Sequence, residues 1–451
     1  MNSLHKFHLN DQYVLLDRPS GAVHVVDPMI YDLIEEMQEK SKEDLVKAYK
    51  DRYPEEDLRE AYDEVYKIKD MGLLFSEDDL ELAAPYNEEN TIKAMCLHVA
   101  HDCNLRCRYC FASQGAYDHD RLLMDEETGK AALDFLVAHS NHRVNLEVDF
   151  FGGEPLMNFD LVKKLVAYGR SLEEKHNKHF RFTITTNGLL LDDDKIDFIN
   201  EHMDNVVLSL DGRKEVHDKM RPTANGKGSF DLVVENFKKL VEKRKDKDYY
   251  IRGTFTNHNL DFSKDVKLFH DLGFEKTSME PVVCEPEKEY AIREEHVDQI
   301  LKEYEVLSAL YLDIQKEDPD FLFFHFMVDL DQGPCMVKRS VGCGAGSEYC
   351  AVTPTGDVYP CHQFVGQDEF KLGDVFTGIE NTDLVEDFKK ANVFSKEDCG
   401  DCWAKYYCSG GCHANAYYAN GSILKPHKIG CQLEKKRLEA AISILAKQGE
   451  N

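Results

Sequence analysis

An α/β fold built on a parallel sheet is predicted by three observations. Six apolar segments alternate with helical patterns between residues 91 and 320. The chain has 451 residues, too many for a single core, so two or three domains are expected. The residues least expected in ordinary loops fall directly after the apolar segments, where strand C-termini carry chemistry in β/α proteins. Alternation alone leaves a partial barrel and a doubly wound sheet both open.

Residues 1–85 form a first zone. "KFHLNDQYVLLDRPSGAVHVVD" reads as two strands joined by the turn "RPSG". "PMIYDLIEEMQEK", "SKEDLVKAYKDRY" and "EEDLREAYDEVYKIKDMGLL" place apolar residues three and four apart and read as helices, with Pro28 opening the first and Ser41 capping the second. A short hairpin followed by three helices is a small winged-helix-like module. "SEDDLELAAPYNEEN" follows as a polar linker.

The second zone, residues 91–320, carries the alternation. Strands are expected at "IKAMCLHVA", "VNLEVDFF", "FRFTITT", "NVVLSL", "YYIRGTFT" and "KTSMEPVV". Helices are expected near 125–139, 159–175, 192–201, 229–243, 262–271 and 292–316. "CNLRCRYC" follows the first strand, "GGEP" the second, "NG" the third and "DG" the fourth. Turn chemistry explains "NG" and "DG", but explains "GGEP" less well and the cysteines not at all. The third zone, residues 330–451, is cysteine-rich and closes with a helix near 432–447.

Composition excludes several functions. Acids number 84 against 55 bases, a net charge of -29, which argues against nucleic-acid and anionic-membrane surfaces. No apolar run is long enough to span a bilayer, and the first residues lack the pattern of a signal peptide, so the protein is expected in the cytoplasm. There, fourteen cysteines point to metal rather than disulfides.

Cys103, Cys107 and Cys110 form C-x3-C-x2-C with no fourth cysteine nearby. An open coordination position marks catalytic rather than structural metal sites. Zinc completed by His101 or a distant ligand is the alternative, although the spacing is unusual for zinc fingers.

"CNLRCRYC" resembles the cysteine signature of radical S-adenosylmethionine (SAM) enzymes. The resemblance covers the middle zone and implies a partial (β/α)6 TIM-like barrel. It also implies that Cys103, Cys107 and Cys110 hold a [4Fe–4S] cluster whose open iron binds SAM, so that SAM cleavage yields a 5′-deoxyadenosyl radical. "GGEP" is similar to the family's glycine-rich SAM motif: Gly152 and Gly153 would let the backbone approach the methionine amine, and Glu154 would accept from it. By the same resemblance Ser209 would contact the ribose or carboxylate, Arg221 would pair with the carboxylate and Tyr109 would lend backbone to the adenine pocket. Thr185 and Asn187 are further candidates.

"Cys399-x2-Cys402-x5-Cys408-x3-Cys412", then Cys431, preceded by Cys343 and Cys361, resembles the SPASM extension of peptide-modifying radical SAM enzymes. This implies two auxiliary [4Fe–4S] clusters, three in all. Cys399, Cys402, Cys408 and Cys431 would hold one, and Cys343, Cys361 and Cys412 the other. Two zinc sites are the alternative. Cys350 could complete the second set, but in the apolar strand "YCAV" it also reads as a small buried hydrophobe. If it is no ligand, that cluster has an iron open to a substrate thiolate. Cys96, Cys284 and Cys335 read as packing residues.

"CLHVAHDCNLRCRYCFASQGAY", "VDFFGGEPLMN" and "CGAGSEYCAVTPTGDVYPCHQFVG" resemble the maturases of SCIFF peptides, cysteine-dense ribosomal precursors. That implies a sactisynthase, which links a cysteine sulfur to the α-carbon of an acceptor such as threonine. It also implies a leader-bearing precursor as partner, bound by the front module as an added strand, and an external electron donor. Three rivals remain: a sulfatase-maturing oxidation of cysteine or serine to an aldehyde, another radical peptide cross-link, and a redox-sensing winged-helix regulator.

Overall fold

The computed structural model describes residues 4–77, 90–117, 120–330 and 340–449. Cys335 and most of the expected linker lie outside them.

The front module has three strands where two were expected: β1 (Leu4–Leu9), β2 (Gln12–Asp17) and β3 (Val23–Val26), antiparallel in the order β1-β2-β3. The missed turn is Asn10–Asp11, whose φ values of 51° and 58° match the two left-handed positions of a type I′ hairpin. Asp17 ties the expected "RPSG" turn by accepting from the Ser20 amide (3.2 Å) and hydroxyl (2.6 Å). Three helices follow: α1 (Pro28–Glu39), α2 (Lys42–Tyr49) and α3 (Glu55–Asp70). Asp27 caps α1, with Pro28 as its first residue, and the Ser41 hydroxyl accepts from Asp44 N to cap α2. Leu33, Ile34, Met37, Leu45 and Leu58 build a small core against Leu15 of the sheet.

The central zone supplies β4 (Ala94–His101), β6 (Asn145–Gly152), β7 (His179–Thr186), β8 (Asn205–Ser209), β9 (Tyr250–Phe255) and β10 (Lys276–Pro281), all parallel. A two-residue β5 (Leu122–Leu123) pairs antiparallel with the end of β4. Each long strand lies beside its sequence neighbour, in the order β4-β6-β7-β8-β9-β10. A doubly wound sheet reverses direction at a switch point. This order never reverses, so it forms a barrel wall. The two edges do not close on each other: β10 continues to β11 (Leu322–Phe323), and β4 pairs in parallel with β12 (Tyr349–Val352) from the cysteine-rich zone. β13 (Asp357–Tyr359), β14 (Gly373–Asp374) and β15 (Gly378–Ile379) extend that edge antiparallel. The architecture is an open parallel α/β wall with the cysteine-rich zone joined to its β4 edge.

The last helix, Lys428–Gly449, returns to the start of the chain. Ser443 Oγ donates to Leu9 O (3.2 Å), and His5 Nε2 lies 3.0 Å from Glu439. Among the described residues no helix is long and apolar enough to cross a membrane.

Candidate functional site

Cys103, Cys107 and Cys110 lie on the loop leaving β4 and line one cavity at the C-terminal ends of the barrel strands. Tyr109, Gly152, Gly153, Glu154, Thr185, Asn187, Ser209 and Arg221 line the same cavity. Parallel strands force this convergence, because every strand delivers its C-terminal loop to one mouth.

The glycines are fitted to the cysteine loop. A Cβ on Gly152 (φ +120°) would sit 2.2 Å from Ala100 O, and one on Gly153 would sit 2.1 Å from Asp102 O. In the same place Gly153 N donates to Ala100 O and Glu154 N to Asp102 O, both at 2.8 Å. The motif thus clamps the end of β4. Gly115 (φ +94°) closes the loop, with room for a Cβ only 2.9 Å from Cys103 Cβ.

Glu154 is 1% exposed and accepts from Thr186 Oγ1 (2.7 Å), Asn187 N (2.8 Å) and Leu156 N (3.1 Å), so the chain itself uses the carboxylate expected to meet an amine. Burial pushes its carboxyl up to about 7 despite those donors. Asn187 Nδ2 donates to Asn104 Oδ1 (2.8 Å) and lies 3.6 Å from Cys103 Sγ.

Arg221 meets a residue that sequence reasoning missed. Its Nε lies 3.0 Å from Asp211 Oδ2, its guanidinium stands over the Tyr109 ring at 5.3 Å, and the Tyr109 hydroxyl donates to both Asp211 oxygens (2.9 and 2.7 Å). Asp211 also accepts from Thr254 N (3.1 Å), so one buried carboxylate joins β8, β9 and the cysteine loop. Tyr109 therefore contributes its hydroxyl where only its backbone was expected. The available signal was an acid directly after the fourth strand, read there as a turn.

The far wall holds two further unanticipated charges, Arg252 and Glu280. Arg252 aligns with Ser209 on one side and Ser278 on the other. Glu280 lies 3.2 Å from His325 Nε2, and Arg437 Nη1 lies 2.9 Å from His325 Nδ1. Burial would raise the Glu280 carboxyl, but His325 and Arg437 outweigh it and hold it well below the usual range. Burial pushes the His325 imidazole down, which leaves its Nδ1 able to accept from Arg437. Charged residues inside the apolar strands "IRGTF" and "SMEPV" were the overlooked signal.

In the third zone Cys399, Cys402, Cys408 and Cys431 line one pocket. Cys361 feels Cys412 and Cys343 electrostatically, and Cys412 feels Cys343. Cys350 is 1% exposed in β12 and joins the core of Met95 and Val148. Its thiol is pushed up to about 12 by burial alone. Cys96 is buried in β4, and Cys284 is partly exposed beside the cavity.

The donors suit iron–sulfur clusters. Every described cysteine is free of disulfides. Burial pushes the Cys103 thiol up and the Cys107 thiol to about 12, a cost that binding a cation relieves. Among the described residues no three His, Cys, Asp or Glu side chains converge on a single ion. Thiols that do not converge on one ion suit the separate irons of a cluster better than a single zinc.

Comparison with known proteins agrees with this geometry. Residues 97–261 match the model of the radical SAM superfamily, and residues 343–403 match SPASM, an iron–sulfur cluster-binding domain. A cysteine-type anaerobic sulfatase-maturating enzyme of Clostridium novyi (strain NT) is 28% identical over 369 residues, covering 76% of this chain and 93% of its own. The structure of anSMEcpe with bound AdoMet and a Cp18Cys peptide superposes with a TM-score of 0.66 at 22% identity, covering 79% of this chain and 99% of that one. Streptococcus suis SuiB bound to its precursor peptide SuiA superposes with a TM-score of 0.52 at 16% identity, covering 95% and 98%. The chain thus combines radical SAM and SPASM domains, and its cofactors are S-adenosylmethionine and multiple [4Fe–4S] clusters.

Proposed function

We propose that this radical SAM–SPASM enzyme is a cytoplasmic maturase of a cysteine-rich ribosomal peptide, joining a cysteine sulfur to the α-carbon of an acceptor residue such as threonine. One observation carries the reading: the front module of three strands and three helices, whose β3 pairs with β2 on one side only among the described residues. An unpaired edge can take an extended leader as a fourth strand. The coverage of SuiB, 95% of this chain against 79% for anSMEcpe, supports a module beyond the catalytic domains.

Cys103, Cys107 and Cys110 would hold the cluster that binds SAM, and Cys399, Cys402, Cys408 and Cys431 a second. Cys343, Cys361 and Cys412 would hold a third, leaving one position for a peptide thiol, since Cys350 packs in the core. When bound, SAM and its cluster supply a carbon radical able to take a hydrogen atom from an α-carbon. The chain does the rest. Arg221 and Tyr109, fixed from behind by Asp211, form a charged part of the cavity wall, and Thr185, Asn187 and Ser209 line the same cavity. Glu280, held ionised by its neighbours and too weak a base to take a proton, is a fixed negative charge on the cavity wall, and the proton that the product loses passes to solvent. The product also loses one electron, which an auxiliary site takes up and an external carrier removes.

The decisive experiment incubates reconstituted enzyme with SAM, reductant and a cysteine-rich precursor carrying α-deuterated threonine. The expected product is lighter than the precursor by one deuterium and one hydrogen, resists alkylation at one cysteine and leaves deuterium in 5′-deoxyadenosine. Absence of deuterium transfer rejects the α-carbon assignment. The Clostridium novyi relative favours a second reading, oxidation of cysteine or serine to formylglycine, and an aldehyde product would establish it.

A further inference from the structure

Lys396 is a buried cation, 3% exposed, in the segment just before Cys399. Its Nζ donates to Gly410 O at 2.8 Å. Gly410 lies between Cys408 of one cysteine set and Cys412 of the other, and a Cβ on it would come within 3.3 Å of that same Nζ. Among the described residues no carboxylate lies within ion-pair distance of Lys396. Burial pushes the Lys396 ammonium below its usual range, and Cys399 and Cys408 from one set, with Cys412 and Cys343 from the other, act against that to keep it charged. The influence is mutual, since Lys396 lowers Cys399, Cys431 and Cys412.

An unpaired ammonium buried this deeply is costly, and proteins keep one only against a compensating anion. A carbonyl dipole satisfies a donor but not a charge. Clusters held by thiolates supply net negative charge, and Lys396 stands between two sets of thiols. We propose that Lys396 is the shared counter-charge of the two auxiliary iron–sulfur sites, raising both reduction potentials so that the electron released by the substrate can enter either. The proposal rests on the assignment of cysteines given above. Reducing a [4Fe–4S] cluster from the 2+ to the 1+ state adds one electron and one negative charge, which a neighbouring cation stabilises. Removing that cation must therefore lower the potential.

Redox titration followed by electron paramagnetic resonance, on the full chain reconstituted with iron and sulfide, tests this without any peptide. A C103A/C107A/C110A background isolates the auxiliary signals. Lys396→Gln keeps a donor for Gly410 O and removes the charge. Both auxiliary couples should become at least tenfold harder to reduce, 59 mV for one electron, at unchanged iron content. Lys396→Arg should stay within threefold of wild type. Wild-type potentials in K396Q, or a shift at one site only, overturn the proposal. Should K396Q lose iron, K396R decides: holding iron at wild-type potentials supports the shared charge, and a tenfold shift overturns it. A missing cross-link with the K396Q shift intact would reject the proposed function and leave this inference standing.

Discussion

At the residue scale, the site depends on a few buried charges whose partners came from distant segments. Asp211 accepts from Tyr109, ion-pairs with Arg221 and caps the Thr254 amide. Removing its charge strands a guanidinium that is 11% exposed. Asp211→Asn should cost roughly 3 kcal/mol in urea unfolding and weaken SAM binding, measured by equilibrium dialysis. Glu280→Gln should retain SAM cleavage but lose most cross-linked product, because a fixed charge on the cavity wall is gone while the cysteine loop is untouched. Equal loss of both would refute that role. Asp149 offers a pH test. Burial raises its carboxyl to about 7, against hydrogen bonds from Thr185 and attraction from Arg252. An acid raised on folding binds more protons in the native state, so stability falls as pH climbs from about 4 toward 7. That component of the slope should vanish in Asp149→Asn when urea midpoints are followed across pH.

At the element scale, the six strands and their helices were legible because period-two and period-3.6 patterns alternate cleanly. The first hairpin was not legible, because "LNDQ" lacks the Asn-Gly or Asp-Gly signature of a tight turn. The "GGEP" turn was recognised for its glycines, but their physical need lies in the chain. Gly152 combines positive φ with contact on Ala100 O, and Gly153 meets Asp102 O. Gly152→Ala should therefore cost about 3 kcal/mol and displace the cysteine loop. The loss of iron from the Cys103 site should exceed the loss from the auxiliary sites.

At the scale of the whole molecule, the two ends of the chain meet. The His5 ring stacks on Trp403 with centroids 3.8 Å apart, and Arg18 donates to Asp401 O at 3.2 Å. The front module thus touches Asp401 and Trp403 on either side of Cys402, a route by which an occupied β3 edge could be felt at an auxiliary site. Trp403 is the only tryptophan, so tryptophan fluorescence reports the surroundings of this one ring, the His5 stack among them. His5→Ala should shift its emission to the red in the apoprotein, and an unchanged spectrum would show the stack to be unimportant.

The sequence by itself determined the alternating fold, the positions of the cysteines and about half of the polar residues around the cavity. Those features depend on local periodicity and short spacings, which survive in one dimension. Only the tertiary structure decided that the strands form an open wall, with β12 sealing the β4 edge. It likewise decided that Glu280 and Arg252 line the cavity, that buried Asp211 holds Tyr109 and Arg221 there, and that Lys396 meets the carbonyl between Cys408 and Cys412. Each of these is a pairing between residues far apart in the chain. What a charge does is set by the groups packed around it, and packing brings those groups together only when the chain is folded.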